Sequence, residues 1–201
     1  MVIAIMTTAV IFCGCSKDGG GKLESGWFDG KITATIENEV PANVGKVWAW
    51  NNCSISEGGD LYGNPLGGTT SAVTFSSNGF TYNLPDPPPS GMEWSTIKDY
   101  FEENLGMDPK AKYSDPDVEI MDVDFIALNS AVSGYFGYFA QATSDGSGMY
   151  GYLYAKGDVT VTGGSNLSVS FKKGWNRLYA SQKLITTKAQ KGLKWYYMEF
   201  E

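Results

Sequence analysis

Tyr150, Tyr152 and Tyr154 stand at every second position, and alternate side chains of an extended strand share a face, so their rings would form one aromatic surface. Trp195 and Tyr197 repeat the spacing near the C-terminus. Rings arrayed on a sheet can stack on the apolar C–H faces of a sugar while their polar tips bond at its edges. Tyr150, Tyr152, Tyr154, Trp195 and Tyr197 are therefore the candidate ligand-binding residues. Tyr135 and Tyr138 lie across a predicted turn from the first three, and Trp48 with Trp50 is a further pair of the same kind. The same residue types are favoured strand formers, so packing between sheets is the competing reading.

Acidic residues crowd at Asp115, Asp117, Glu119, Asp122 and Asp124. Calcium needs several oxygens on a compact loop, but on a strand the odd-numbered group and the pair Asp122 and Asp124 point to opposite faces, and the glycine and terminal glutamate of an EF-hand are missing. The segment reads as a solvated loop leading into a strand, and no metal or other cofactor is expected. Two carboxylates at a set separation could still cleave a glycoside. Nothing in the sequence selects two of the 22 acidic residues, and no catalytic residue is expected.

The chain has no histidine, which removes Ser-His-Asp and Cys-His nucleophilic systems, histidine general bases and most zinc or iron sites. A formal charge of −7 and a pI near 4.6 argue against a nucleic-acid partner. Of the three cysteines, Cys53 has no partner for an internal disulfide once Cys13 and Cys15 are assigned as below, and it reads as a small core residue.

The elements that must position these residues are mostly strands. Residues 30–38 alternate, with Ile32, Ala34 and Ile36 on one face and charged or hydroxyl side chains on the other. In residues 46–51, Val47 and Ala49 oppose Trp48 and Trp50. Ser77-Asn78-Gly79 between two β-like runs predicts a hairpin, because Asn and Gly tolerate positive φ. The run PDPPP at 85–89 cannot continue a sheet. A single amphipathic helix is expected near 91–105, opened by a capping box of Ser90 and Glu93, with Trp94, Ile97, Phe101 and Leu105 inward and Lys98 with Glu102 outward. From residue 118 onward, short β runs alternate with Gly, Asn and Asp turns. The expected fold is mainly β: an antiparallel β-sandwich over residues 27–201 with one amphipathic helix.

The N-terminus bears on location. Residues 2–12 are uncharged and apolar, long enough for a signal-peptide core and too short to span a bilayer as a helix. The last four of the first fifteen residues, Phe12-Cys13-Gly14-Cys15, resemble the lipobox of bacterial lipoproteins, with Phe12 where Leu is usual. The resemblance implies a signal peptide over 1–14, lipidation at Cys15 and a membrane anchor. Residues 15–26 are polar and glycine-rich, as a flexible tether would be. The run SVSFKKGWNRLY at 168–179 is similar to a phrase in small envelope lipoproteins of Bacteroidetes and spirochaetes. Together these imply an outer-membrane, lipid-anchored cell-envelope protein facing periplasm or cell surface. A non-catalytic binding module with a carbohydrate ligand is the favoured function. The alternatives are a structural or assembly component with an envelope-protein partner, and a histidine-free glycoside hydrolase.

Overall fold

The computed structural model describes residues 25–55, 61–105, 110–129, 134–164 and 166–199. Cys15, the signal segment and most of the tether lie outside them. In chain order the strands are β1 (Lys31–Thr35), β2 (Val44–Ile55), β3 (Leu61–Pro65), β4 (Val73–Thr74), β5 (Gly79–Asn83), β6 (Ser95–Thr96), β7 (Lys112–Tyr113), β8 (Glu119–Asn129), β9 (Tyr135–Ala142), β10 (Gly148–Ala155), β11 (Val159–Gly163), β12 (Leu167–Phe171), β13 (Gly174–Ser181), β14 (Ile185–Thr186) and β15 (Lys194–Glu199). One short helix, α1 (Ile97–Asp99), lies between β6 and β7.

The fold is the mainly β sandwich that the turn spacing predicts. Thirteen strands make the large sheet, whose path runs β3-β2-β8-β9-β10-β13-β14-β12-β11-β7, with β15 on β9. The second sheet is the antiparallel pair β1–β5, with Ile32 opposite Tyr82 and Ala34 opposite Phe80. These four side chains are buried and belong to the main core. Phe80 meets Phe125, Phe139 and Trp195 at ring-centroid distances of 5.9, 5.3 and 5.5 Å, so the small sheet lies over one face of the large one. Strands from both halves of the chain share this core, and β2 pairs with β8.

Strand parity on β8 separates two environments. Met121, Val123, Phe125 and Ala127 enter the core under β1–β5. On the other face, Ile120 packs with Ile97, Phe101, Leu153 and Leu178. Farther along that face, Ile126 and Leu128 pack with Trp48 and Cys53. Asp122 and Asp124 have the same parity as these apolar residues and stand between the two clusters.

Three local expectations need correction. The helix begins at Ile97, not near 91: Thr96 is its N-cap, with its hydroxyl accepting from Asp99 N–H at 3.1 Å. Trp94 is therefore off the helix, whereas Ile97 and Phe101 are buried and Lys98 meets Glu102 at 3.0 Å. Past Asp99 the backbone widens into a π-type turn over Tyr100–Asn104, where Leu105 N–H reaches Tyr100 O at 3.3 Å. The tight turn after β4 closes over Ser77 and Asn78, both at positive φ, with Ser76 and Gly79 exchanging backbone bonds. Its two arms then part, β4 to β2 and β5 to β1. At the start of the fold, Gly26 N–H already bonds Ser170 O, so the domain takes hold before residue 27.

Candidate functional site

The five candidate rings are not an open platform. Tyr150, Tyr152 and Tyr154 do share a face, but it is the face that β1–β5 covers. Tyr152, Tyr154, Trp195 and Tyr197 are only 4, 5, 6 and 6% exposed. The three tyrosine hydroxyls among them are satisfied internally. Tyr152 donates to Gln141 Oε1 at 2.6 Å, Tyr154 to Asp86 Oδ1 at 2.9 Å and Tyr197 to Phe136 O at 2.8 Å. Burial raises all three phenols above their ordinary pKa, Tyr154 to about 12. Half-buried Tyr150 accepts the Gln190 N–H at 2.8 Å. Trp48 and Trp50 cross edge-on at 4.9 Å, and Trp48 donates to Ser71 Oγ. The fold thus takes these aromatics as packing: β1–β5 covers the five candidate rings, and Trp48 with Trp50 packs on the other face beside Cys53, Ile126 and Leu128.

The opposite face of the same strands holds a groove, made by a fork in the sheet. Along one edge of β8 the partner is β10 as far as Val123, opposite Tyr152, and then β9 from Phe125, opposite Phe139. Beyond the fork β9 and β10 pair with each other at Ala142 and Met149. Asp124 sits at the centre of this three-way junction. Among the described residues, no register partner joins Asp124, Ala140, Gln141, Tyr150 or Gly151 across it.

A cavity of about 120 Å³ opens there. Its floor is low because Ala140, Gly151 and Ala180 carry little side chain, and its sides include Tyr100 and Leu105 from the helical segment and Tyr138 and Met149 from the fork. An adjoining space of about 230 Å³, shared through Asn52, Tyr100 and Asp122, is lined by Glu93, Asp99 and Glu103. Asp122 and Asp124 are half-buried where the two apolar clusters leave a gap.

The two carboxylates differ in surroundings. β2 carries a bulge between Asn51 and Ser54, and Asn52 within it has φ 49°, which turns its backbone N–H toward the Asp122 carboxylate. Buried Asn51 fixes that bulge: its amide donates to Asp122 O at 3.1 Å and its Oδ1 accepts from Glu93 N–H at 2.7 Å. The Asn52 side chain bonds the Glu93 carboxylate, which also takes Asn64 Nδ2 at 3.2 Å. Burial raises the Asp122 pKa, and the Asn52 N–H works against that rise. Burial and then the Asp122 charge push Asp124 up to about 7. Burial thus raises both carboxyls, and the neighbouring charge adds to it at Asp124, so of the two Asp124 is shown to hold its proton toward neutral pH. Burial, then Asp124, pushes the Cys53 thiol up to about 12, which leaves it a packed thiol at the groove edge rather than a nucleophile.

The sequence offered one signal for this site that the strand readings did not use. In IMDVDFIAL, from Ile120 to Leu128, two carboxylates occupy alternate positions of an otherwise continuous apolar run, which places both on one face of a strand that should be buried on both sides. Tyr100, Asn52 and Gly151 carried no comparable signal. Asp115 and Glu119 lie away from the groove: Asp115 accepts the Asp117 N–H at 3.2 Å, and Glu119 pairs with Lys156 at 2.7 Å. Among the described residues, no three Asp, Glu, Cys or His side chains cluster as metal ligands, and no helix is long and apolar enough to cross a membrane.

Comparison with known families, curated proteins and solved structures finds no match to this chain.

Proposed function

We propose that the protein is a lipid-anchored cell-envelope protein that binds a carbohydrate in the groove at the sheet fork. The observation that carries the binding reading is the pair Asp122 and Asp124 facing into a cavity with a small-residue floor and tyrosine at its sides. Carboxylates accept hydrogen bonds from adjacent sugar hydroxyls. The fork leaves backbone groups to add donors and acceptors, and a tyrosine edge or face suits the apolar side of a pyranose. Gly151 and the alanines let a flat ring approach the strands. Anchoring rests on the Phe12–Cys15 motif, and Cys15→Ser should move the protein from the membrane to the soluble fraction.

The test of binding is affinity electrophoresis of the protein through gels containing host, plant and bacterial polysaccharides. Retardation in at least one gel that is lost in Asp122→Asn/Asp124→Asn supports the reading. Free migration in every gel refutes it.

A further inference from the structure

We infer that the sugar held at the sheet fork is an amino sugar, a pyranose that carries a free ammonium group beside its hydroxyls. The inference rests on the carbohydrate reading above and names the class of its ligand. The charge of the lining carries it. Asp122 and Asp124 line the cavity, and Glu93, Asp99 and Glu103 line the space that adjoins it through Asp122. No lysine or arginine is among the described residues of either lining. Elsewhere the fold pairs four acids with lysines: Glu37 with Lys194, Glu102 with Lys98, Glu119 with Lys156 and Asp158 with Lys172. None of these ion pairs uses a groove acid.

The groove acids are instead held by neutral donors, which fix a carboxylate without cancelling its charge. The side-chain amides of Asn52 and Asn64 hold Glu93, the Thr96 hydroxyl donates to Asp99 at 2.7 Å, and the Asn52 N–H serves Asp122. Asp124 lacks even that: its carboxyl is desolvated at the junction and takes no hydrogen bond from any described residue. A desolvated carboxylate without a partner is unfavourable, and a cation that also donates hydrogen bonds offsets the penalty. An ammonium group does both, with one positive charge and three donors. On a pyranose it arrives with an apolar ring face for the floor of Ala140, Gly151 and Ala180. Tyr100 lines both spaces, and a tyrosine ring attracts a nearby cation. A neutral sugar leaves the acids without a counter-charge, and an acidic one is repelled. Because the two acidic spaces adjoin, successive amines of one oligosaccharide can occupy both.

The test is isothermal titration calorimetry of the purified protein, at mildly acidic pH where the amines are charged. The probes are the β-1,4-linked tetramer of glucosamine, its N-acetylated counterpart, the neutral cellotetraose, and spermine, an amine without a sugar ring. The glucosamine tetramer should bind at least about tenfold tighter than each of the others, the scale of hydrogen bonds to charged groups. Asp122→Asn and Asp124→Asn should each remove most of that preference. Glu103→Gln changes an exposed side chain, so it should lower affinity for the glucosamine tetramer severalfold at an unchanged melting temperature. Glu39→Gln removes the same charge from an exposed site outside both linings and should leave the preference intact. Equal or tighter binding of a neutral tetramer overturns the amino sugar and leaves carbohydrate binding standing, as does gel retardation by a polysaccharide when the glucosamine tetramer does not bind. Equal binding of spermine overturns the sugar part of the assignment. A preference that falls as far in Glu39→Gln as in the groove variants marks general attraction to an acidic protein and overturns the placement. Neither retardation nor binding of any tetramer overturns both readings.

Discussion

Tyr152 lies flat against Trp195, with ring centroids 5.8 Å apart and planes 12° from parallel, and this stack closes on the core side the fork that opens as a groove on the other. β10 supplies one ring and β15 the other, and the Tyr152 hydroxyl reaches Gln141 on β9 between them. Trp195→Ala should therefore act through stability, at about 3–5 kcal/mol for an aromatic ring cut from a packed core. Urea denaturation at constant m-value measures it. A variant that keeps its midpoint while losing ligand would show that Trp195 touches the ligand instead.

The parity of these rings was legible because strand periodicity is local, and Tyr150, Tyr152 and Tyr154 do share a face. Which face would be covered was not legible, since the cover is β1–β5, more than 60 residues earlier in the chain. The helix start shows the same competition at shorter range. Ser90 with Glu93 and Thr96 with Asp99 both offer a hydroxyl followed three residues later by an acid. Thr96 is the N-cap because Glu93 is engaged elsewhere, its N–H by Asn51 and its carboxylate by Asn52 and Asn64. Trp94 leaves the predicted stripe to pack edge-on against Tyr154, with Lys156 Nζ 4.0 Å from its ring centroid. The carboxylates of the groove could be read from the apolar run they interrupt. The fork could not, because it depends on where two register choices on one edge of β8 meet.

Stability should fall as pH rises toward neutrality. The Asp124 pKa is about 7 in the folded chain against an ordinary carboxyl value of 3.8. Between those values the folded state holds a proton that the unfolded state has released. Folding is then favoured at the acid end, and the contribution is lost as pH passes through the folded pKa. Asp122 and Cys53 face Asp124, and the Asp122 charge strengthens the effect. Melting temperature should be lower at pH 8 than at pH 5.5, and Asp124→Asn should flatten that difference. An unchanged slope in the variant would place the titration elsewhere.

Gly151→Ala separates the groove from the fold. A Cβ at Gly151 would meet only Leu153 Cδ1 at 3.6 Å and Leu178 O at 3.8 Å, both ordinary contacts, and the backbone there is not in the left-handed region. The methyl group should leave the melting temperature within a few degrees while raising the floor between Ala140 and Ala180. Polysaccharide retardation should weaken, and Gly151→Val should abolish it. Retardation unchanged in both would mean that the ligand does not rest on this floor.

Gly63 makes a contrasting prediction, because here the backbone itself forbids a side chain. Its φ is +115°, and a Cβ would lie 2.4 Å from Asn52 O, 2.7 Å from Asn51 O and 2.7 Å from Trp50 Nε1. β3 must come this close to hold the bulge of β2, and that bulge aims the Asn52 N–H at Asp122. Gly63→Ala should cost roughly 1–3 kcal/mol from backbone strain and push Asn51 and Asn52 away from β3. Ile32→Val on β1, distant from the groove, should cost about 0.5–1.5 kcal/mol. Ligand retardation should drop in Gly63→Ala at temperatures where both variants remain folded, and hold in Ile32→Val. Equal retardation in the two would separate the bulge from binding, and would leave Asp122 positioned by Asn51 alone.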